Sequence, residues 1–330
     1  MRALPCRGAL LSGAAETGYL APEGFLEPLL EELGAPTAVH GRLVLMPGPV
    51  RPAAWAQNIW YEPQRIQIAS IGDGVRKLRR VQRNWALYDF QLHRRAALIQ
   101  TQLPKLSGKP LTFGEAPPTA PLGSWTLLDP HTILNSPRCS SPFPHGEVRF
   151  LEDRTGPPSR AYLKLWEAFT LIGRRPSAGE ICLDLGASPG GWTWALQKLG
   201  AQVISVDKAL LDPAVAALPG VAQLRYSAFA LDPAAIGPVD WLFSDVVCYP
   251  ARLLRLVRRW LEAGRAQNFL CTIKFQGATD HQTVRAFAEV PGSRLLHLSV
   301  NKHELTWALL HSARGQRSSS GGSRSALSNS

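Results

Sequence analysis

Two acids and three glycines within one stretch carry the first chemistry in this sequence. Residues 180–207 read EICLDLGASPGGWTWALQKLGAQVISVD, with Asp184, Gly186, Gly190, Gly191 and Asp207 at the turning points. Glycine admits a positive φ and the close approach to backbone that a side chain forbids. Asp184 can accept a hydrogen bond from a ligand beside the turn. Asp207 follows the glycines by about 20 residues, where a nucleotide-type ribose presents its two hydroxyls. Such a site suits the binding of an adenosine.

The elements that must position these residues are a strand, a turn and a helix. Residues 181–185 are a short, branched apolar run that reads as a buried strand; it breaks at GASPGG, and a helix starts near Trp192. Residues 202–206 read as a second strand. This order sets backbone N–H groups and a helix N-terminus at the carboxyl edge of a parallel sheet, the edge where such sheets bind ligands. A Walker cradle needs Gly-Lys-Ser/Thr, whereas Gly191 is followed by Trp192; a dinucleotide fingerprint needs G-x-G-x-x-G, whereas the spacing here is G-x-x-x-G-G. S-adenosylmethionine has no phosphate, so one acid for its amino-acid end and another for its ribose suffice. An ordinary βαβ unit with a glycine turn accounts for the glycines alone equally well.

The neighbouring residues decide between these readings. The run D-L-G-A-S-P-G-G-W resembles motif I of the FtsJ/RrmJ-like ribosomal RNA 2′-O-ribose methyltransferases, whose Lys-Asp-Lys-Glu tetrad is spread over the fold. S-R-A-Y-L-K-L-W-E at residues 159–167, S-D at 244–245, I-K-F-Q-G at 273–277 and H-E at 303–304 are similar to the four tetrad signatures and occur in the same order. The RlmM-type 23S ribosomal RNA cytidine 2′-O-methyltransferases are most similar in wording, through SPFPHG at 141–146 and the stretch 250–264; Phe-Gln-Gly after Lys274 instead resembles the FtsJ/RrmJ branch. The resemblance spans roughly residues 140–310.

It implies a Rossmann-like class I methyltransferase fold, a doubly wound, mostly parallel sheet with a closing antiparallel hairpin. It also implies a catalytic set of Lys164, Asp245, Lys274 and Glu304. Around the methionine end of S-adenosyl-L-methionine it implies Asp184, Gly186, Ala187, Ser188, Pro189, Gly190, Gly191 and Trp192, with Asp245 beside them and Asp207 on the ribose. Where the family carries an acid for the adenine amino group this chain has Ser227, which leaves Ser227, a backbone carbonyl or the more distant Asp232 for that contact. A sulfonium methyl is already activated, so the enzyme mainly places the hydroxyl and removes its proton. Lys274 is the expected base, Lys164 the cation that holds the hydroxyl oxygen, Asp245 the group that orients both ammoniums, and Glu304 a support for Lys164 or the RNA.

Composition frames the rest. The 330 residues are enough for about two domains. A net charge of +11 favours a polyanionic partner. No run approaches the ~18 apolar residues of a membrane span, and the N-terminal apolar stretch is short for a secretory signal; the expected compartment is the cytoplasm. The five cysteines (Cys6, Cys139, Cys182, Cys248 and Cys271) are widely spaced and the eight histidines scattered, which gives no support to a disulfide framework or a metal site.

Residues 1–125 read as a smaller α+β domain, with a surface helix over 20–33 and strands over 42–46 and 66–71. The RlmM-type relatives carry an N-terminal RNA-binding part that includes a THUMP-like module, and this segment is the expected counterpart. Residues 75–109 hold nine lysines and arginines against the single acid Asp89. Arg76, Lys77, Arg79, Arg80 and Arg83, with Arg160 further on, are the candidate RNA contacts. The interleaved Trp85, Tyr88 and Phe90 read better as core than as stacking faces.

Residues 126–158 are rich in proline and glycine and read as a linker, 159–312 as the methyltransferase domain and 313–330 as a disordered tail. Within 159–312, Ser159 is the expected cap of a helix running to Ile172. Three function classes stay open: an RNA ribose methyltransferase, on 23S or another RNA such as a tRNA or an mRNA cap; a same-fold methyltransferase for a non-RNA acceptor; and an idle RNA-binding assembly factor.

Overall fold

The computed structural model describes residues 15–311. Cys6 and the serine-rich tail lie outside them. In chain order the N-terminal part runs β1 (Glu16–Leu20), α1 (Leu26–Leu33), β2 (Ala38–His40), β3 (Leu43–Pro47), β4 (Asn58–Tyr61), β5 (Gln64–Gln67), α2 (Ile71–Val81), β6 (Trp85–Leu87), α3 (His93–Gln100), β7 (Gly123–Asp129), β8 (Thr132–Ser136) and β9 (Arg138–Cys139). Its strands form a five-stranded sheet in the order β2-β3-β1-β4-β9 and a four-stranded sheet in the order β5-β8-β7-β6.

Several boundaries differ from the sequence expectations, each for a local reason. Leu20 ends a strand, and Pro22 and Gly24 turn the chain before α1, so the first helix is shorter than 20–33. The strand expected over 66–71 stops at Gln67 because Ser70 caps α2, its hydroxyl accepting from Asp73 N–H at 3.2 Å. The largest correction concerns the linker. Residues 123–139 are strands, with β7 and β8 joined by a turn in which Asp129 accepts from His131 N–H at 2.7 Å. Prolines on either side of this hairpin hid its apolar content, and β9 pairs back onto β4.

The second part runs α4 (Tyr162–Ile172), β10 (Ile181–Leu185), α5 (Gly191–Lys198), β11 (Gln202–Asp207), α6 (Pro213–Ala216), β12 (Val221–Arg225), α7 (Pro233–Ile236), β13 (Val239–Ser244), α8 (Pro250–Ala263), β14 (Ala266–Lys274), α9 (His281–Ala288), β15 (Ser293–Leu296) and β16 (Glu304–Leu309). The strands make one sheet in the order β12-β11-β10-β13-β14-β16-β15. β10 to β14 pair in parallel, and β16 runs antiparallel to both β14 and β15. This is the expected doubly wound sheet. The chain leaves β10 for β11 on one side and returns to β13 on the other, which opens a crevice outside the carboxyl ends of β10 and β13. Helix α4 starts at Tyr162 without a side-chain cap; Ser159 lies just before it and accepts only from Ala161 N–H at 3.4 Å.

Each face of this sheet carries a core. One is built with α4 and α5 around Trp166, Trp194 and Phe243. The other joins α8 and α9 to residues of the N-terminal part, among them Tyr19, Leu29 and Trp55. The two parts of the chain therefore share buried apolar surface, the dominant favourable contribution to folding. Among the described residues no helix is long and apolar enough to cross a membrane, and no group of three or more His, Cys, Asp or Glu is placed to hold a metal ion.

Candidate active site

Four charged residues meet at the carboxyl edge of the sheet. Asp245 follows β13, Lys274 is the last residue of β14, and Glu304 opens the antiparallel β16 directly opposite Lys274 in register. Lys164 reaches them from the first turn of α4. Its Nζ lies 2.7 Å from Glu304 Oε1 and 3.1 Å from Asp245 Oδ1. Lys274 Nζ lies 3.1 Å from the same Asp245 Oδ1 and donates to the Asp245 carbonyl at 2.6 Å. One carboxylate oxygen thus bridges both lysine nitrogens. Burial pulls Lys164 toward its neutral form, but Asp245 and Glu304 outweigh it and hold the group above the ordinary lysine range. The other acids near Lys164 in sequence are engaged elsewhere: Glu167 accepts from Ser299, and Glu180 from Trp241 and Ser177 N–H.

The glycine turn lies beside this cluster. Asp184 is 1% exposed; its Oδ2 accepts from Thr193 Oγ1 at 2.7 Å while Oδ1 has no partner. Burial, reinforced by the charges of Asp245 and Asp207, raises its pKa to about 7. Thr193 in turn bonds Ser205 at 2.8 Å, a pairing that no sequence motif announced. Gly186 and Gly190 have φ of +79° and +113°. A Cβ on Gly186 would lie 2.7 Å from Val246, and one on Gly191 2.5 Å from Ser159, so protein neighbours alone require glycine there. Ala187 is buried in the core, Ser188 donates its backbone N–H to Asp207 at 3.1 Å, and Pro189 accepts from Asp212 N–H. Helix α5 starts at Gly191 with no side-chain cap.

Four cofactor candidates have other duties. Trp192 is 3% exposed and donates its indole N–H to Ala161 at 2.9 Å, so it fastens the start of the helix that carries Lys164 rather than presenting its ring at the turn. Asp207 also accepts from Ala209 N–H at 2.9 Å, which leaves lone pairs on both oxygens for a further donor. Ser227 closes the turn after β12, its carbonyl accepting from Ala230 and Leu231, and Asp232 caps α7.

A brace from the N-terminal part was not legible in the sequence. Phe275 and His303, the chain neighbours of Lys274 and Glu304, lie with ring centroids 5.1 Å apart and are joined by Phe275 N–H to His303 O at 3.1 Å. Trp55, fully buried, sits 5.7 Å from each of these rings and 5.3 Å from Phe25. Tryptophan and phenylalanine in a loop carry no signature of such a role.

The basic candidates spread over α2. Arg76 and Lys77 pair with Asp73, and Arg79 donates to Gln102 O; Arg80 and Arg83 are exposed at the C-terminal end of the helix. Arg160 forms a two-pronged pair with Glu152. Trp85 and Tyr88 are buried and Phe90 half-buried, as core residues are.

Residues 157–288 match the family of FtsJ-like methyltransferases. The chain is 40% identical over 146 residues to Ribosomal RNA large subunit methyltransferase M of Halorhodospira halophila, covering 43% of this chain and 42% of that protein. It is 35% identical over 182 residues to the protein of the same name from Methylococcus capsulatus, covering 54% and 51%. A third, from Laribacter hongkongensis, is 37% identical over 147 residues, covering 43% and 41%. The chain spans about half the length, or less, of these curated relatives.

Proposed function

We propose that the protein transfers a methyl group from S-adenosyl-L-methionine to a ribose 2′-hydroxyl of RNA, with 23S ribosomal RNA in the cytoplasm as substrate; the match of residues 157–288 to the FtsJ-like methyltransferases supports this reading. The observation that carries this reading is the pair of lysines bridged by Asp245 Oδ1 at 3.1 Å each, beside the glycine turn. A hydroxyl acceptor needs one group to hold its oxygen and another to take its proton, and the two lysine nitrogens can divide those tasks.

The residues at the turn fit the cofactor. Asp184 Oδ1, buried and without a partner, suits the ammonium of an amino-acid end, and the uncapped start of α5 offers backbone N–H groups. Asp207 retains acceptor capacity for the ribose, and Ser227 or a neighbouring carbonyl takes the adenine amino group. Bound S-adenosylmethionine supplies a methyl group already activated by its sulfonium.

The chain's own contribution is placement and proton removal. Lys164, kept protonated by Asp245 and Glu304, donates to the 2′-oxygen and fixes its lone pair in line with the methyl carbon. Lys274, entering the step as the neutral amine, takes the hydroxyl proton on Nζ as the oxygen receives the methyl group and so becomes an ammonium, which Asp245 then pairs with. Glu304 steadies Lys164.

The experiment incubates tritiated S-adenosylmethionine with unmodified ribosomal RNA and compares wild type with Lys274→Ala. Label retained in alkali-resistant dinucleotides, reduced at least a hundredfold in the variant while cofactor affinity is kept, is the expected result. Label in a non-RNA acceptor, or a variant with most of its activity, refutes the reading.

A further inference from the structure

Away from the active site, a cavity of about 500 Å³ opens between the proline-rich segment 105–122 and the turn at 142–149. Its size falls within the ~300–1,000 Å³ range of ligand pockets. Leu111, Phe143 and Pro144 give it apolar walls, and Lys105, Lys109 and Arg149 stand among its polar groups. Two carboxylates also line it, but Glu147 pairs with Arg149 at 3.8 Å and Glu115 accepts from Thr112 N–H at 2.9 Å. Three cations against two carboxylates leave the lining one positive charge in excess, and Lys105 and Lys109 are exposed. His145, in a left-handed conformation at φ 57°, is also part of the lining, but its Nδ1 is buried and presents no surface to the cavity.

The cavity has neighbours on both sides that bear on its occupant. Asn84 lines it and directly follows Arg83, so it adjoins the exposed arginine end of α2. Glu147 and Arg149 also line a second, polar cleft of about 300 Å³ shared with His297, Ser299 and Asn301. Those residues form the loop between β15 and β16 at the catalytic edge of the sheet, and Asn301 donates to the Glu304 carbonyl at 3.2 Å. The cavity and the cleft thus share Glu147 and Arg149, and the cleft's Asn301 bonds the residue that pairs with Lys164.

We propose that this cavity is a nucleotide subsite of the RNA strand flanking the methylated residue. It takes one unstacked base against Phe143 and the prolines, offers Asn84 to the base edge, and sets Lys105 and Lys109 on the adjoining phosphates. The inference rests on the RNA reading above and adds to it a second point of attachment outside the active site. A base offers apolar faces and a polar edge together with flanking charge, which is the combination the walls, Asn84 and the two exposed lysines present.

The test uses the full chain and a labelled single-stranded RNA, with and without an abasic position. Lys105→Gln/Lys109→Gln is expected to weaken RNA binding about tenfold at low salt and to lower the slope of log affinity against log salt by roughly 1.4, the release of two counterions from a single strand. Leu106→Trp, which fills the cavity, is expected to weaken the intact RNA while leaving the salt slope and S-adenosylmethionine affinity unchanged, and to abolish the difference between intact and abasic RNA. Wild-type affinity in both variants, or a filled variant that still distinguishes the abasic strand, overturns the subsite. Methyl transfer is scored separately. Variants that lose RNA affinity in a protein that never methylates RNA would keep the subsite and refute the proposed reaction.

Discussion

Asp184→Asn should make the protein more stable and worse at holding its cofactor. The wild-type carboxyl is fully buried, with one oxygen bonded to Thr193 and the other unpartnered, and its pKa is raised from 3.8 to about 7. A shift of about three units corresponds to roughly 4 kcal/mol between the two protonation states. The folded form keeps its proton more tightly than the unfolded chain. Stability is therefore intact below the ordinary aspartate range and is lost progressively as pH rises from about 4 to about 7. Asparagine preserves shape and the acceptor for Thr193 but carries no charge, so its advantage should grow through that window and stay constant above it, reduced by about 1 kcal/mol if the Thr193 bond weakens. Urea unfolding at several pH values measures this, and calorimetry with S-adenosylmethionine should show affinity falling ten- to a hundredfold through loss of a charged acceptor, about 1.5–3 kcal/mol. An advantage that does not change with pH would refute the origin of the shift, and an unchanged cofactor affinity would refute the role of the orphan oxygen.

Three further outcomes follow from the geometry. Trp55→Ala should cost about 3–5 kcal/mol of stability as a large-to-small core change and lower kcat at saturating RNA, with Trp55→Phe restoring most of it; an effect confined to the KM for RNA would contradict the brace on Phe275 and His303. Glu304→Gln should lower kcat on the order of tenfold, about 1.4 kcal/mol, since Lys164 keeps Asp245; a loss as large as that of Lys274→Ala would make Glu304 more than a support. Arg80→Gln/Arg83→Gln should weaken RNA binding and lower the single-strand salt slope by roughly 1.4 with kcat unchanged. Equal salt slopes would assign those arginines to a solvated face.

The shared core also changes what a truncation can report. Removing the N-terminal part would take Tyr19, Leu29 and Trp55 out of a core shared with the sheet, and would uncover Phe275, His297 and His303, against which Trp55 packs. Loss of activity in such a fragment would reflect exposed core as much as lost RNA contacts.

Much of this protein was determined by local sequence. The apolar run at 181–185, its break at glycine and the acid at 207 describe a strand, a turn and a second strand because residue type and φ restriction act over a few neighbours. Asp245 and Lys274 were legible as partners at one sheet edge because parallel strands present their carboxyl ends together. Tertiary structure alone decided the remainder. Trp192 has the composition of a ligand wall and became the anchor of α4, and Trp55 reads as any buried tryptophan yet lies between the neighbours of Lys274 and Glu304. The linker expected over 126–158 held a hairpin whose pairing partners lie as far back as β4 and β5. Each of these outcomes depends on which distant surfaces meet. Packing is set by the shape of the whole core, and a short window of sequence contains only one side of every contact.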